Sequence, residues 1–136
     1  MIALRHGGNW LRSTLAVALW ALPLAGPAWA DGEAPATNAE IAHLMQFIRS
    51  SGCEFQRNGS WYAPADAHDH IARKLNHMRD RSTIPSAEAF IQEAATRSSI
   101  SGESYQVRCP GAPLQECRDW LRAELGRARQ RGARRP

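Results

Sequence analysis

The sequence predicts a mainly helical α+β domain of about four helices, with a small antiparallel sheet made from one hairpin and one further strand. Three observations predict it. Apolar residues recur at helical spacing in four separate stretches, three short runs have the composition of strands, and an Asn-Gly pair joins two of those runs. The chain has 136 residues, of which 43% are apolar, a balance that suits one small domain and excludes both a multidomain enzyme and a disordered chain.

The first element is an export signal. Arg5 and Arg12 precede the apolar run Leu15 to Leu24, and Ala28-Trp29-Ala30 supplies the small-x-small pattern of a signal-peptidase site. Cleavage is expected after Ala30. The run is too short for a membrane span, which needs about 20 residues, and Pro23, Gly26 and Pro27 interrupt its end. No cysteine stands at the cleavage point, so lipid anchoring is not indicated. The expected product is a soluble periplasmic protein without a transmembrane segment. Trp10, Trp20 and Trp29 leave with the signal, so Trp61 and Trp120 remain.

Residues 31–37 read as a loose polar leader before a domain spanning 38–126. Thr37 and Glu40 form a capping box, and Ile41, Leu44, Met45 and Ile48 follow at i, i+3, i+4 and i+7, predicting a helix over 38–50. Gly52 stops it. The run Cys53 to Gln56 alternates, Asn58-Gly59 can take the positive φ angles of a tight hairpin, and Ser60-Trp61-Tyr62 returns. Pro64 suits a first helical turn, Asp66 suits the positive end of the helix dipole, and Ala67, Ile71, Leu75 and Met78 form the stripe of a second helix over 64–79. Pro85 and Ser86 restart the chain into a third helix over 86–97, with Ala87, Phe90, Ile91 and Ala94 inward. Residues 98–102 form a loop, Tyr105 to Cys109 a strand, and Pro110-Gly111 breaks it. Leu114, Cys117, Trp120, Leu121, Leu125 and Ala128 then give a fourth helical stripe.

Five arginines crowd residues 127–136, whereas residues 31–126 carry 10 basic against 13 acidic residues. This predicts a mildly acidic domain with a basic, disordered tail whose removal leaves stability unchanged. An anionic surface of the cell envelope is the partner such a tail suits, and nucleic acid is excluded for an exported chain with an acidic body.

All three cysteines lie beyond the signal, in a compartment where disulfides persist. Cys53 and Cys109 flank two strand-like runs, so neighbouring strands would bring them within bridging distance. That is the expected pair, with Cys117 on an apolar stripe, and Cys109–Cys117 stands as the alternative.

Catalytic and metal patterns find little support. On a helix His68 and His70 diverge by about 200°, and His70 and His77 are about 10 Å apart along the axis, so these histidines with Asp69 do not suit one metal ion. No nucleophile elbow, phosphate-cradling glycine loop or paired-carboxylate spacing occurs, and no cofactor is expected. Arg57, on a turn beside Trp61 and Tyr62, either snorkels over an aromatic ring or holds a carboxylate or phosphate.

The fragments Phe55-Gln56-Arg57-Asn58-Gly59, Ala67-x-x-His70-Ile71-x-x-Lys74-Leu75, Ser86-Ala87-Glu88-x-Phe90-Ile91-x-x-Ala94 and Ser98-Ser99-x-Ser101-Gly102-x-x-Tyr105-x-Val107 occur in this order. With them the chain resembles the YfeK-like family of small exported bacterial proteins, a domain of unknown function, over about residues 41–126. The resemblance implies a signal peptide, a periplasmic location and a compact mixed helical domain, and it carries no assigned activity. The three cysteines and the arginine-rich end depart from some members. The expected role is a non-enzymatic binding or accessory module of the cell envelope, taking an envelope protein or an anionic ligand at Arg57, Asn58, His70, Lys74, Ser99 and Tyr105. The rival is a small periplasmic hydrolase using His70 and a serine of the 98–101 loop. Convergence of these side chains on one concave pocket would separate the two.

Overall fold

A computed structural model describes residues 32–135. The expected export signal and cleavage after Ala30 fall outside the described residues.

Pro35 opens helix α1 (Pro35–Ser50), because its fixed φ is already helical and its missing N–H is one no helix start can pair. The capping box is therefore not formed. Ala34 is the N-cap without a side-chain bond, and Thr37 is buried inside the first turn. The segment before the helix is tied down: Arg79 bonds the Glu33 carboxylate at 2.9 Å and Asn38 Oδ1 at 2.9 Å. Ile41, Leu44, Met45 and Ile48 face inward as expected.

Strand β1 (Glu54–Arg57) turns through Asn58 (φ 49°) and Gly59 (φ 78°) into β2 (Ser60–Tyr62), with Arg57 opposite Ser60 and Phe55 opposite Tyr62. Helix α2 (Pro64–Arg81) follows after one residue. Helix α3 (Ala87–Ala94) starts where Ser86 Oγ accepts the Ala89 N–H at 3.1 Å. It stops three residues short of the expected Arg97, because the chain folds back there. Thr96 accepts the Tyr105 N–H at 2.9 Å, and Arg97 bridges to Ser104.

Strand β3 (Gln106–Arg108) pairs antiparallel with β1, and the order of the sheet is β2-β1-β3-β4. The last strand, β4 (Gln115–Glu116), is not foreseen by the apolar pattern. It pairs with β3, so helix α4 (Cys117–Ala133) begins three residues after Leu114, which is 56% exposed rather than part of the stripe.

Helix α4 also runs seven residues past the expected end of the domain. The basic end is helical, not disordered, because its arginines have partners. Arg127 and Arg131 bond the buried carboxylate of Glu124 at 2.8 and 2.7 Å, and His43 of α1 reaches it at 2.7 Å. Arg129 forms a two-point bond to Glu40 of α1 at 2.7 and 2.9 Å and also reaches Glu88 of α3 at 2.5 Å. Arg134 and Arg135 are what is left beyond this clamp for contact with an anionic surface.

Helix α1 packs against α2, α3 and α4 around a core that includes Leu44, Phe90, Ile91, Val107 and Leu121. Trp120 stacks on Phe47 at 4.4 Å and meets Phe55 edge-on at 5.5 Å. Cys53 and Cys109 are joined as expected, linking the residue before β1 to the residue after β3, while Cys117 is buried as a free thiol. No helix among the described residues is long and apolar enough to cross a membrane. The fold is mainly helical α+β, with four helices and a small antiparallel sheet, as the sequence predicts.

Candidate functional site

A cavity of about 460 Å³ opens between the β1–β2 hairpin, helix α2 and the start of α4. Its floor is apolar, built from Ile48, Phe55, Ile71 and Leu121. The volume falls within the range of small-molecule sites, about 300–1,000 Å³, and the mixture of an apolar base with a few polar groups is characteristic of them.

The polar wall comes from three elements. Arg57 ends β1, His70 lies one and a half turns into α2, and Tyr105 stands just before β3. Arg57 Nη1 lies 2.5 Å from His70 Nδ1, and His70 Nε2 lies 3.0 Å from Tyr105 Oη. A guanidinium can only donate, so Nδ1 accepts and the imidazole proton sits on Nε2, donating to the tyrosine oxygen. Lys74, one turn further along α2, donates to the Arg97 carbonyl at 2.9 Å and to Tyr105 Oη at 3.4 Å. With both of these donors on its oxygen, Tyr105 has its own O–H free to donate. The Arg57 guanidinium lies 4.8 Å from the centre of the Tyr62 ring, which settles the aromatic it covers, while Arg108 covers Trp61 at 3.9 Å.

Electrostatics follow from this packing. Burial, then the nearby charges of Arg57, Lys74 and Arg73, push His70 down to about 4, so it is neutral at pH 7. Burial lowers Lys74 and raises Tyr105, which keeps the phenol protonated. Cys117 also lines the cavity, and burial pushes its thiol up to about 12, so it is a small apolar wall rather than a nucleophile.

Of the six residues expected at a site, Arg57, His70 and Tyr105 line this cavity, and Lys74 is bonded to Tyr105 but lines a neighbouring groove. Asn58 is not part of this group. Its Oδ1 accepts from Ser101 Oγ at 2.6 Å and ties the hairpin tip to the 98–102 loop. Ser99 is exposed and lines a neighbouring groove of about 300 Å³ with Lys74, His77 and Arg81. Ser98 Oγ accepts the N–H groups of Ile100 and Ser101 at 3.3 Å, holding the loop itself. No serine hydroxyl is bonded to a histidine among the described residues, and both nitrogens of His70 are engaged elsewhere. No cluster of three metal-ligating side chains occurs among the described residues.

The cavity also contains residues that sequence reasoning did not assign to it, chiefly Tyr62, Asp66 and Cys117. Asp66 reads as a helix-dipole partner in the sequence, and only the return of the hairpin beside the start of α2 turns that position into a wall.

No solved structure is significantly similar to the chain. Among curated proteins it is similar to "Uncharacterized protein YfeK" of Salmonella typhimurium, 36% identical over 88 residues, which cover 65% of this chain and 72% of that protein. The profile of a protein family matches residues 35–129, from the first residue of α1 to Arg129. The chain therefore belongs to the YfeK-like family of unknown function (DUF5329).

Proposed function

We propose that the protein is an exported, periplasmic binding module that holds a carboxylate-bearing apolar ligand, free or on an envelope protein, in the cavity between the hairpin and α2. One observation carries the reading: Arg57 and the Tyr105 hydroxyl stand over an apolar floor, with His70 kept neutral between them. The neutral imidazole costs the site no positive charge and fixes both donors, so the guanidinium keeps its remaining N–H groups for an incoming anion. Export is supported by the n-region, the apolar run and the Ala28-x-Ala30 site, and by a disulfide suited to an oxidising compartment. The role is binding rather than catalysis, because the groups that converge orient one another and present no activated nucleophile.

The test is calorimetric titration with 3-phenylpropionate and 3-phenylpropanol, which differ at the charged end. The acid is expected to bind at least tenfold more tightly, and Arg57→Ala to remove that difference with the melting temperature unchanged. Equal affinity for the alcohol refutes the anion site. Ester turnover by the wild type, lost in both His70→Ala and Ser99→Ala, would overturn the non-enzymatic role in favour of a hydrolase.

A further inference from the structure

The cavity has a second charged wall. Asp66, in the first turn of α2, and Asp69 line it together with Arg57 and Arg73. Asp69 is already engaged, by His68 Nδ1 at 2.9 Å and by Arg49 at 3.8 Å. Asp66 enters no salt bridge among the described residues and is exposed to the cavity mouth. With two cations and two carboxylates around one small space, a ligand carrying a single sign of charge leaves the opposite set unmatched and meets like charge at close range, which opposes binding. A ligand with both charges would meet complementary groups on both sides.

We infer that the ligand is an apolar α-amino acid or short peptide with a free amino terminus, its carboxylate on Arg57 and the Tyr105 hydroxyl, its ammonium on Asp66, and its apolar side chain on the floor of Ile48, Phe55, Ile71 and Leu121. This rests on the anion site proposed above and names the class of molecule that fills it. The two charges of such a ligand are held by separate elements, the end of β1 and the start of α2, joined by the tight hairpin and a single residue. Tyr62 lies between them in sequence and packs against Arg57, so the apolar contact and the charge contact are set by the same short stretch of chain.

The experiment is titration of the wild-type protein and Asp66→Asn with L-phenylalanine, phenylalanyl-phenylalanine and 3-phenylpropionate, which lacks the amino group. Wild type is expected to bind at least one of the two amino compounds tenfold or more tightly than 3-phenylpropionate, and comparison of the two separates a single amino acid from a peptide. Asp66→Asn should remove that advantage, weakening the amino compounds while binding 3-phenylpropionate at least as tightly as the wild type does. Equal or tighter binding of 3-phenylpropionate by the wild type overturns the inference, as does an Asp66→Asn variant that weakens all three compounds alike. If 3-phenylpropionate binds in an Arg57-dependent way without a preference for the amino compounds, the anion site stands and the zwitterion falls. If none of the three binds, both fall.

Discussion

Glu124 offers a measurement of how much the basic end of the chain stabilises the fold. Its side chain is buried, at 5% exposure, and accepts from His43, Arg127 and Arg131 within 2.7–2.8 Å. Burial alone would raise its pKa, but the three donors win and hold the carboxyl at about 2, against 4.5 for an ordinary glutamate. The native state therefore prefers the ionised form. At 1.36 kcal/mol per pH unit that preference has an upper bound of just over 3 kcal/mol, and about 2–3 kcal/mol remains once the solvent exposure of the arginines is allowed for. Glu124→Gln conserves the shape and removes the charge, and it turns an amide N–H toward cationic donors, so it should lose about 2–3 kcal/mol at pH 7. The sign follows from a depressed native pKa. The stabilisation is complete above pH 4.5 and is lost as pH falls toward 2, so the gap between wild type and variant should shrink by more than half at pH 3. Urea unfolding followed by tryptophan fluorescence suits this, because Trp120 lies buried on the same helix as Glu124 and the other tryptophan among the described residues, Trp61, is half-buried. An equal gap at pH 7 and pH 3 would refute the ionic account and leave only a packing defect.

Removal of residues 127–136 takes away Arg127, Arg129 and Arg131 together, and should cost about 3–5 kcal/mol by leaving Glu124 buried without two of its donors; a truncated chain melting with the full one would return the tail to solvent. His70 is held neutral in the fold and ionises freely when unfolded, so acidification from about pH 6.5 to 4 should lower wild-type stability by about 1–2 kcal/mol after discounting for its partial exposure, whereas His70→Gln should lack that component; identical urea midpoints against pH in both proteins would contradict it. Replacing Cys53 and Cys109 by alanine should cost about 4 kcal/mol in the chain-entropy account, and Cys117 should react with iodoacetamide only after unfolding, both readable by denaturation and peptide mass.

Periodicity was enough for the interior of the fold. Ile41, Leu44, Met45 and Ile48 share one face whatever surrounds them, and Asn58-Gly59 can close a two-residue turn from local energetics alone. Boundaries depended on partners that spacing does not show. Thr37 reads as a cap because of its residue type, yet Pro35 offers an earlier start and Thr37 has a core to enter. Gln115-Glu116 has no apolar alternation and is a strand only because β3 presents an unpaired edge. The basic end looks solvated when its own residues are read, since Glu40 and Glu88 lie 89 and 41 residues before Arg129. The site divides the same way. Arg57, His70, Lys74 and Tyr105 could be named, but the path of one turn ties Asn58 to Ser101 and the path of one loop puts Ser99 in the neighbouring groove, which residue type does not encode.

The clamp made by Arg129 and Glu124 has a consequence for how the chain acquires its structure. Their partners Glu40 and His43 sit in the opening helix, 89 and 81 positions earlier, so these contacts close a loop almost as long as the domain. Closure of this kind is entropically late, and it requires the far end of helix α4. Until that end of α4 has docked, Glu40, Glu88 and His43 face water, and the two ends of the domain remain apart. A folding intermediate with the end of α4 undocked would thus be open to protease in α1 as well as in α4, and docking of that end would act as the step that locks both.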